Sequence, residues 1–178
     1  MNEQRNAMVM RLVLAIALLW GIDQATDAAA TDQQVKPVDE YLAEVQESAD
    51  AGDLMGALSK ISMAVGDHPL EPRIYVTYGR VLNSLQMWDA ALERLDQAES
   101  LGADSATFHM ARAEALTGQG KHGAALRALE QAPESPTTLM MRGVLHLQLG
   151  EPQKALPVLD RALEQAPEQA RQIRLFRA

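Results

Sequence analysis

From residue 38 onward, apolar residues recur at spacings of three and four, the period of helices that bury one face. Short breaks separate these segments at Ala51-Gly52-Asp53, Gly118-Gln119-Gly120-Lys121 and Leu149-Gly150-Glu151. The pattern also repeats at long range. Ala57-Leu58, Ala91-Leu92, Ala125-Leu126 and Ala155-Leu156 stand at offsets of 34, 34 and 30 residues. The same offsets link Ile61, Leu95, Leu129 and Leu159, and then Ala64, Ala98, Ala132 and Ala162. Four copies of a two-helix unit follow, over residues 38–71, 72–105, 106–135 and 136–167. The predicted fold is all-α. One helix pair cannot bury its own apolar face, so the four must stack around a continuous core.

Several positions refine this picture. Gly79, Ala113 and Gly143 are small enough to let the first helix of a pair approach the second closely, with aliphatic side chains filling the space between. The third copy is four residues short, and Pro133 with Ser135-Pro136 predicts that its second helix ends early. Ser135 is the expected N-cap of the next helix and Pro136 its first residue. Pro157 falls one turn inside the last helix of the array, where it removes a backbone hydrogen bond at a cost of about 3 kcal/mol and predicts a kink. Residues 168–178 are expected to form a capping helix that covers the last repeat with Ile173, Leu175 and Phe176.

The columns resemble the tetratricopeptide repeat pattern W-x2-L-G-x2-Y, then A-x3-F, then a closing proline. The second copy carries Tyr75, Tyr78, Gly79 and Leu82, then Trp88, Ala91, Leu95 and Ala98. The fourth has Leu139, Gly143 and His146, then Ala155, Leu159, Ala162 and Pro167, and the third has His109, Ala113 and Leu116, then Ala125, Leu129 and Ala132. The first departs most in its leading helix, where Tyr41 is followed by Glu44, Val45 and Ser48. The resemblance covers residues 38–167. It implies a right-handed α-solenoid of about four repeats whose first helices line a concave groove for a protein or peptide partner.

Groove positions then follow by setting aside the residues that pack. Arg73, Thr77, Arg80 and Asn83 are spaced by 4, 3 and 3 and are expected on one helical face, where arginine forks suit a carboxylate. The competing expectation is a solvated face on which Arg80 pairs with Glu114, its counterpart in the next copy. Met110, Met140, Val144 and Leu147, with Met141 alongside, give the later copies an apolar, adaptable strip, or else ordinary packing between repeats. Chaperone-binding members of the family use a Lys/Asn/Arg clamp across three copies. Here the corresponding positions hold Leu42 and Gln46, Thr77, and Thr107 and Ala111, so that clamp is missing.

Residues 1–30 have a different character. Arg5 and Arg11 precede an apolar run from Leu12 to Ile22, and Ala28 and Ala30 follow at the spacing of an A-x-A cleavage site. Eleven residues rise about 16 Å as a helix, half of a bilayer core of about 30 Å. A signal peptide cut after Ala30, a linker over 31–37 and a periplasmic location are therefore expected. The alternatives are cleavage after Ala28, an uncleaved segment anchoring the chain in the inner membrane as a subunit of an assembly complex for pilus, secretion or cytochrome biogenesis, or a cytosolic chain whose first helix is apolar.

Composition narrows the function. The 178 residues include seven aromatics and no cysteine, which removes disulfides, thiolate metal sites and a cysteine nucleophile. A net charge of -8 argues against nucleic acid, whose binding needs clustered positive charge. No phosphate-binding glycine loop, H-E-x-x-H or G-x-S-x-G is present. His109, His122 and His146 occupy packing columns, and His68 precedes Pro69 at a turn where exposure is expected. Nothing assembles catalysis, a metal site or a cofactor site. The expected role is a non-enzymatic binding scaffold. Residues 38–71 hold eight acids against Lys60, and 136–178 hold six basic residues against four acids, a gradient that would also suit head-to-tail self-association.

Overall fold

A computed structural model describes residues 35–166. The expectations for the leader (1–30), for linker residues 31–34 and for the capping helix (168–178) lie outside the described residues. Eight helices follow one another: α1 (Val38–Asp50), α2 (Leu54–Asp67), α3 (Pro72–Ser84), α4 (Trp88–Ser100), α5 (Ala106–Gly118), α6 (His122–Glu130), α7 (Pro136–Gln148) and α8 (Pro152–Gln165). No strand occurs among the described residues. This is an all-α helical-repeat solenoid of four helix pairs.

The repeated columns form its seam. Ala57, Ala91, Ala125 and Ala155, and with them Ile61, Leu95, Leu129 and Leu159, are all fully buried. Tyr41, Tyr75, His109 and Leu139 are equivalent positions of the first helices and are buried as well, so even the divergent first copy keeps its packing column. The small residues act as the sequence implies. A Cβ on Gly79 would stand 2.7 Å from Leu95 Cγ, and one on Gly143 would stand 2.4 Å from Leu159 Cδ2. Only a bare backbone fits at either crossing.

The order of packing sets the curvature. Each helix packs on the next, and α1 also packs on α3 and α3 on α5, whereas second helices of successive repeats do not pack on one another to that extent. A stack whose first helices touch while its second helices diverge curves with the first helices inside.

Local chemistry fixes the helix ends. Asp53 accepts from Gly56 N–H at 2.8 Å and Ser105 from Phe108 N–H at 3.1 Å. Ser135 caps α7 in a reciprocal pair with Thr138, and Pro136 is the first helical residue. The preceding helix, α6, has only 9 residues. Arg142 of α7 reaches back to its end and donates to the carbonyls of Leu129 and Ala132, groups that a further helical turn would have satisfied. The last helix passes through Pro157 and stays continuous to Gln165, so the proline does not break it. Pro157 is exposed, which leaves its ring, and the Gln153 carbonyl to which it cannot donate, on the water side.

A candidate binding groove

The inner face of the array is built from α1, α3, α5 and α7, and a row of cavities runs along it. One of about 550 Å³ lies among Leu42, Arg73, Val76, Thr77 and Thr107. Beside it, a polar cavity of about 310 Å³ is framed by Gln46, Asp50, Thr77, Arg80, Ser84 and Glu114. A third, of about 400 Å³, is shared by Arg80, Thr107, Met110, Glu114 and Met141. The fourth, also of about 400 Å³, is lined mainly by carbon and opens between α5 and α7. These two helices do not pack on each other as α1 and α3 or α3 and α5 do, and the short third repeat accounts for the opening.

Each groove position can now be placed. Thr77 lines two of the cavities, and Arg80 and Glu114 share two. Arg73 is exposed but engaged: it donates to Asp39 at 2.7 Å and to Glu71 at 3.0 Å. The hydrogen bond from Arg73 holds the Glu71 carboxyl below the usual glutamate range, and the two carboxylates raise the guanidinium in turn. Met110 and Met141 line the third cavity, and Met140 and Val144 the fourth.

Three expectations need correction. Asn83 is 1% exposed, and it serves the fold rather than the groove. Its Nδ2 donates to Ala111 O at 2.8 Å and to Glu114 Oε2 at 3.2 Å, tying α3 to α5, while its Oδ1 is buried without a partner. Each step of three residues falls about 60° short of a full helical turn, so two such steps carry Asn83 off the Thr77 face and toward the next repeat. Leu147 occupies the same column, partly buried against Leu139 and Leu159. The Arg80–Glu114 ion pair is also not made. Glu114 takes the Asn83 amide instead, and the Arg80 side chain has no hydrogen-bonding or ionic partner among the described residues.

Sequence reasoning missed Trp88 as a groove residue. It begins α4, in the outer layer, yet its ring lies against Gly118 of α5, where a Cβ would come within 2.4 Å, and it forms part of the fourth cavity. The signal was available in the pairing of a large ring with a glycine 30 residues on.

The histidines have local roles. His109 is buried, with Nε2 at 2.7 Å from Asp104 and its ring edge-on to Phe108. His146 faces Glu151 at 2.9 Å. His68 departs from the expected exposure: it is half-buried, 2.7 Å from the Lys36 carbonyl and edge-on to Tyr41. Among the described residues no three His, Asp or Glu side chains converge as metal ligands, and no helix is long and apolar enough to cross a membrane.

Fold and groove define a helical-repeat protein with a row of cavities along its inner face. Two family models described as tetratricopeptide repeat match residues 84–137 and 116–178, and together they span more than half of the chain. The chain belongs to the tetratricopeptide repeat family. Comparison with curated proteins gives no match. Among solved structures, TTC0263, a thermophilic tetratricopeptide repeat protein of Thermus thermophilus, is 21% identical and superposes with a TM-score of 0.72 over 93% of both chains. MamA from residue 41 onward, of Desulfovibrio magneticus RS-1, is 16% identical, with a TM-score of 0.65 over 92% of this chain and 96% of that one. YrrB, described as having an unusual peptide-binding site, is 22% identical, with a TM-score of 0.59 over 66% of this chain and 62% of its own. At these identities the likeness is one of fold. Tetratricopeptide repeats are scaffolds for protein interaction and generally not catalysts, and that is the class to which this chain belongs.

Proposed function

We propose that the chain is a non-enzymatic scaffold that holds a protein or peptide segment along its inner groove, and that it works in the cell envelope. The observation that carries the groove reading is the unbroken row of cavities on the first helices, polar around Arg80 and apolar around Met140. A binding face needs both, polar groups to orient a chain and desolvated carbon to hold it. The envelope reading rests on Arg5 and Arg11, the apolar run Leu12–Ile22, the small residues Ala28 and Ala30, and a chain without cysteine. Site-specific photocrosslinking from positions 80 and 140 in intact cells tests the first. The two positions are expected to capture a common species that position 93, on the outer layer, does not. Capture patterns identical at all three positions would end it. For the location, the mature protein is expected to begin at Thr31 by intact mass, and a cytosolic protein retaining Met1 would refute export.

A further inference from the structure

We propose that the cleft between α5 and α7 takes the stem of a lysine or arginine side chain from the partner segment, its charge held between Glu114 and the ring of Trp88, while an acidic group of the same segment sits on Arg80. This deepens the groove reading and rests on it. Three observations carry it.

First, the cleft is a sheath of carbon with one charge at its edge. Met140, Met141, Val144 and Leu145 line it from α7, Trp88 lines it from α4, and Glu114 is the charged residue among its lining groups. A neutral aliphatic anchor would leave Glu114 beside it without a counter-charge. A long aliphatic stem ending in a cation satisfies both parts, since its methylenes lie on the methionines and its charge meets a carboxylate and an aromatic face.

Second, Arg80 and Glu114 stand at equivalent positions of adjacent repeats and line two cavities together, yet they do not pair. An exposed ion pair at that spot would have been a simple way to neutralise both. Glu114 is turned instead to the Asn83 amide, which sets its position, and Arg80 is left without a partner among the described residues. Five of the other six described arginines, at 73, 94, 112, 142 and 161, do have partners. Two opposite charges held apart on one wall favour a ligand that carries both signs in a fixed order.

Third, the spacing is set by the fold. Packed helices lie about 8–10 Å apart, and an extended peptide rises about 3.3 Å per residue. A basic and an acidic residue about three positions apart therefore reach Glu114 and Arg80 together. The overall charge of -8 draws the basic member in first.

The test uses the full chain, immobilised, and a phage-displayed library of random dodecapeptides as probe. The expected result is enrichment of Lys or Arg with Asp or Glu at one recurring separation. Synthetic peptides of the enriched sequence are then expected to bind about tenfold more weakly, the effect of losing one charge contact, to Glu114→Gln and to Arg80→Gln alike. In reselection, Glu114→Gln loses the basic preference and keeps the acidic one, and Arg80→Gln does the reverse. Enrichment of Leu, Met, Phe or Trp with no basic residue, unchanged in Glu114→Gln, would overturn the proposal and leave the groove reading standing. Absence of any enriched motif, the same for the wild type and for Met140→Asp, would overturn both.

Discussion

At the scale of single residues, the turn between paired helices shows what the chain needs and where it departs from it. Gly52, Gly120 and Gly150 occupy equivalent turns with φ of 78°, 73° and 73°, a region that costs a side-chain-bearing residue about 1–2 kcal/mol. The second repeat puts Gln86 there, at φ 59°. Gln86→Gly relieves that strain and gives back part of it as unfolded-state entropy. The expected outcome is a net stabilisation of about 0.5–1 kcal/mol, read as a rise in the denaturant midpoint at unchanged slope. A loss of stability would mean that Gln86 makes contacts worth more than its backbone strain. Three of the four turns were legible in the sequence because glycine announced them; the fourth was not, since glutamine carries no such signal. Asn83 was misread for a related reason. A spacing of three looks like one face over a single step and leaves it over two, and nothing in the sequence states that Ala111 O and Glu114 wait on the far side.

At the scale of elements, the positions of the helices were almost wholly legible, because a repeat supplies its own alignment. Four copies in register turn an ambiguous apolar spacing into a column, and the columns are the buried seam. The shortened third repeat was also visible, in Pro133 and in Ser135-Pro136, but its remedy was not. Arg142 and Arg112 are equivalent residues of α7 and α5 with unlike duties. Arg112 makes exposed ion pairs at 2.6 Å with Asp96 and Glu99. Arg142 supports the end of α6: it adds a donor to the Leu129 carbonyl, which also accepts from Ala132 N–H, and supplies one to the Ala132 carbonyl. Removing exposed ion pairs costs about 0–1 kcal/mol; removing charged donors from partly buried carbonyls costs about 1.5–3 kcal/mol. Arg142→Met is therefore expected to destabilise the chain markedly more than Arg112→Met in parallel denaturant titrations. It should also raise amide exchange in the last turn of α6. Equal effects would show that α6 ends without help.

At the scale of the whole molecule, a linear array is held by its junctions, and among the described residues the helices of each repeat pack on those of its neighbours. Ionic ties support the array at its leading edge, across its first junction and within its last repeat. Lys36 reaches Glu44 at 2.5 Å at the leading edge, Arg73 ties Glu71 and Asp39 across the first junction, and Glu151 holds Lys154 and His146 between α7 and α8. The hydrogen bonds from Lys36, Arg73 and Lys154 respectively are the main reason that Glu44, Glu71 and Glu151 all titrate below the ordinary glutamate value. Their contribution is thus complete above the unfolded-state value of about 4.3 and is lost as the pH falls through the lower folded-state values. A second effect runs the other way. With a sequence pI near 5.0, acidification from neutrality first removes net negative charge and its self-repulsion. The two windows do not coincide. Thermal stability at low ionic strength is expected to hold or rise from pH 7 to about pH 5, then fall below about pH 4.3 as the three carboxylates protonate. The triple variant Glu44→Gln, Glu71→Gln, Glu151→Gln should begin less stable at pH 7 and lose less between pH 5 and pH 3. An acid limb as steep in the variant as in the wild type would place the sensitivity elsewhere. The junctions would then rest on the apolar seam together with contacts that these three glutamates do not make, such as the hydrogen bonds of Asn83 and Arg142.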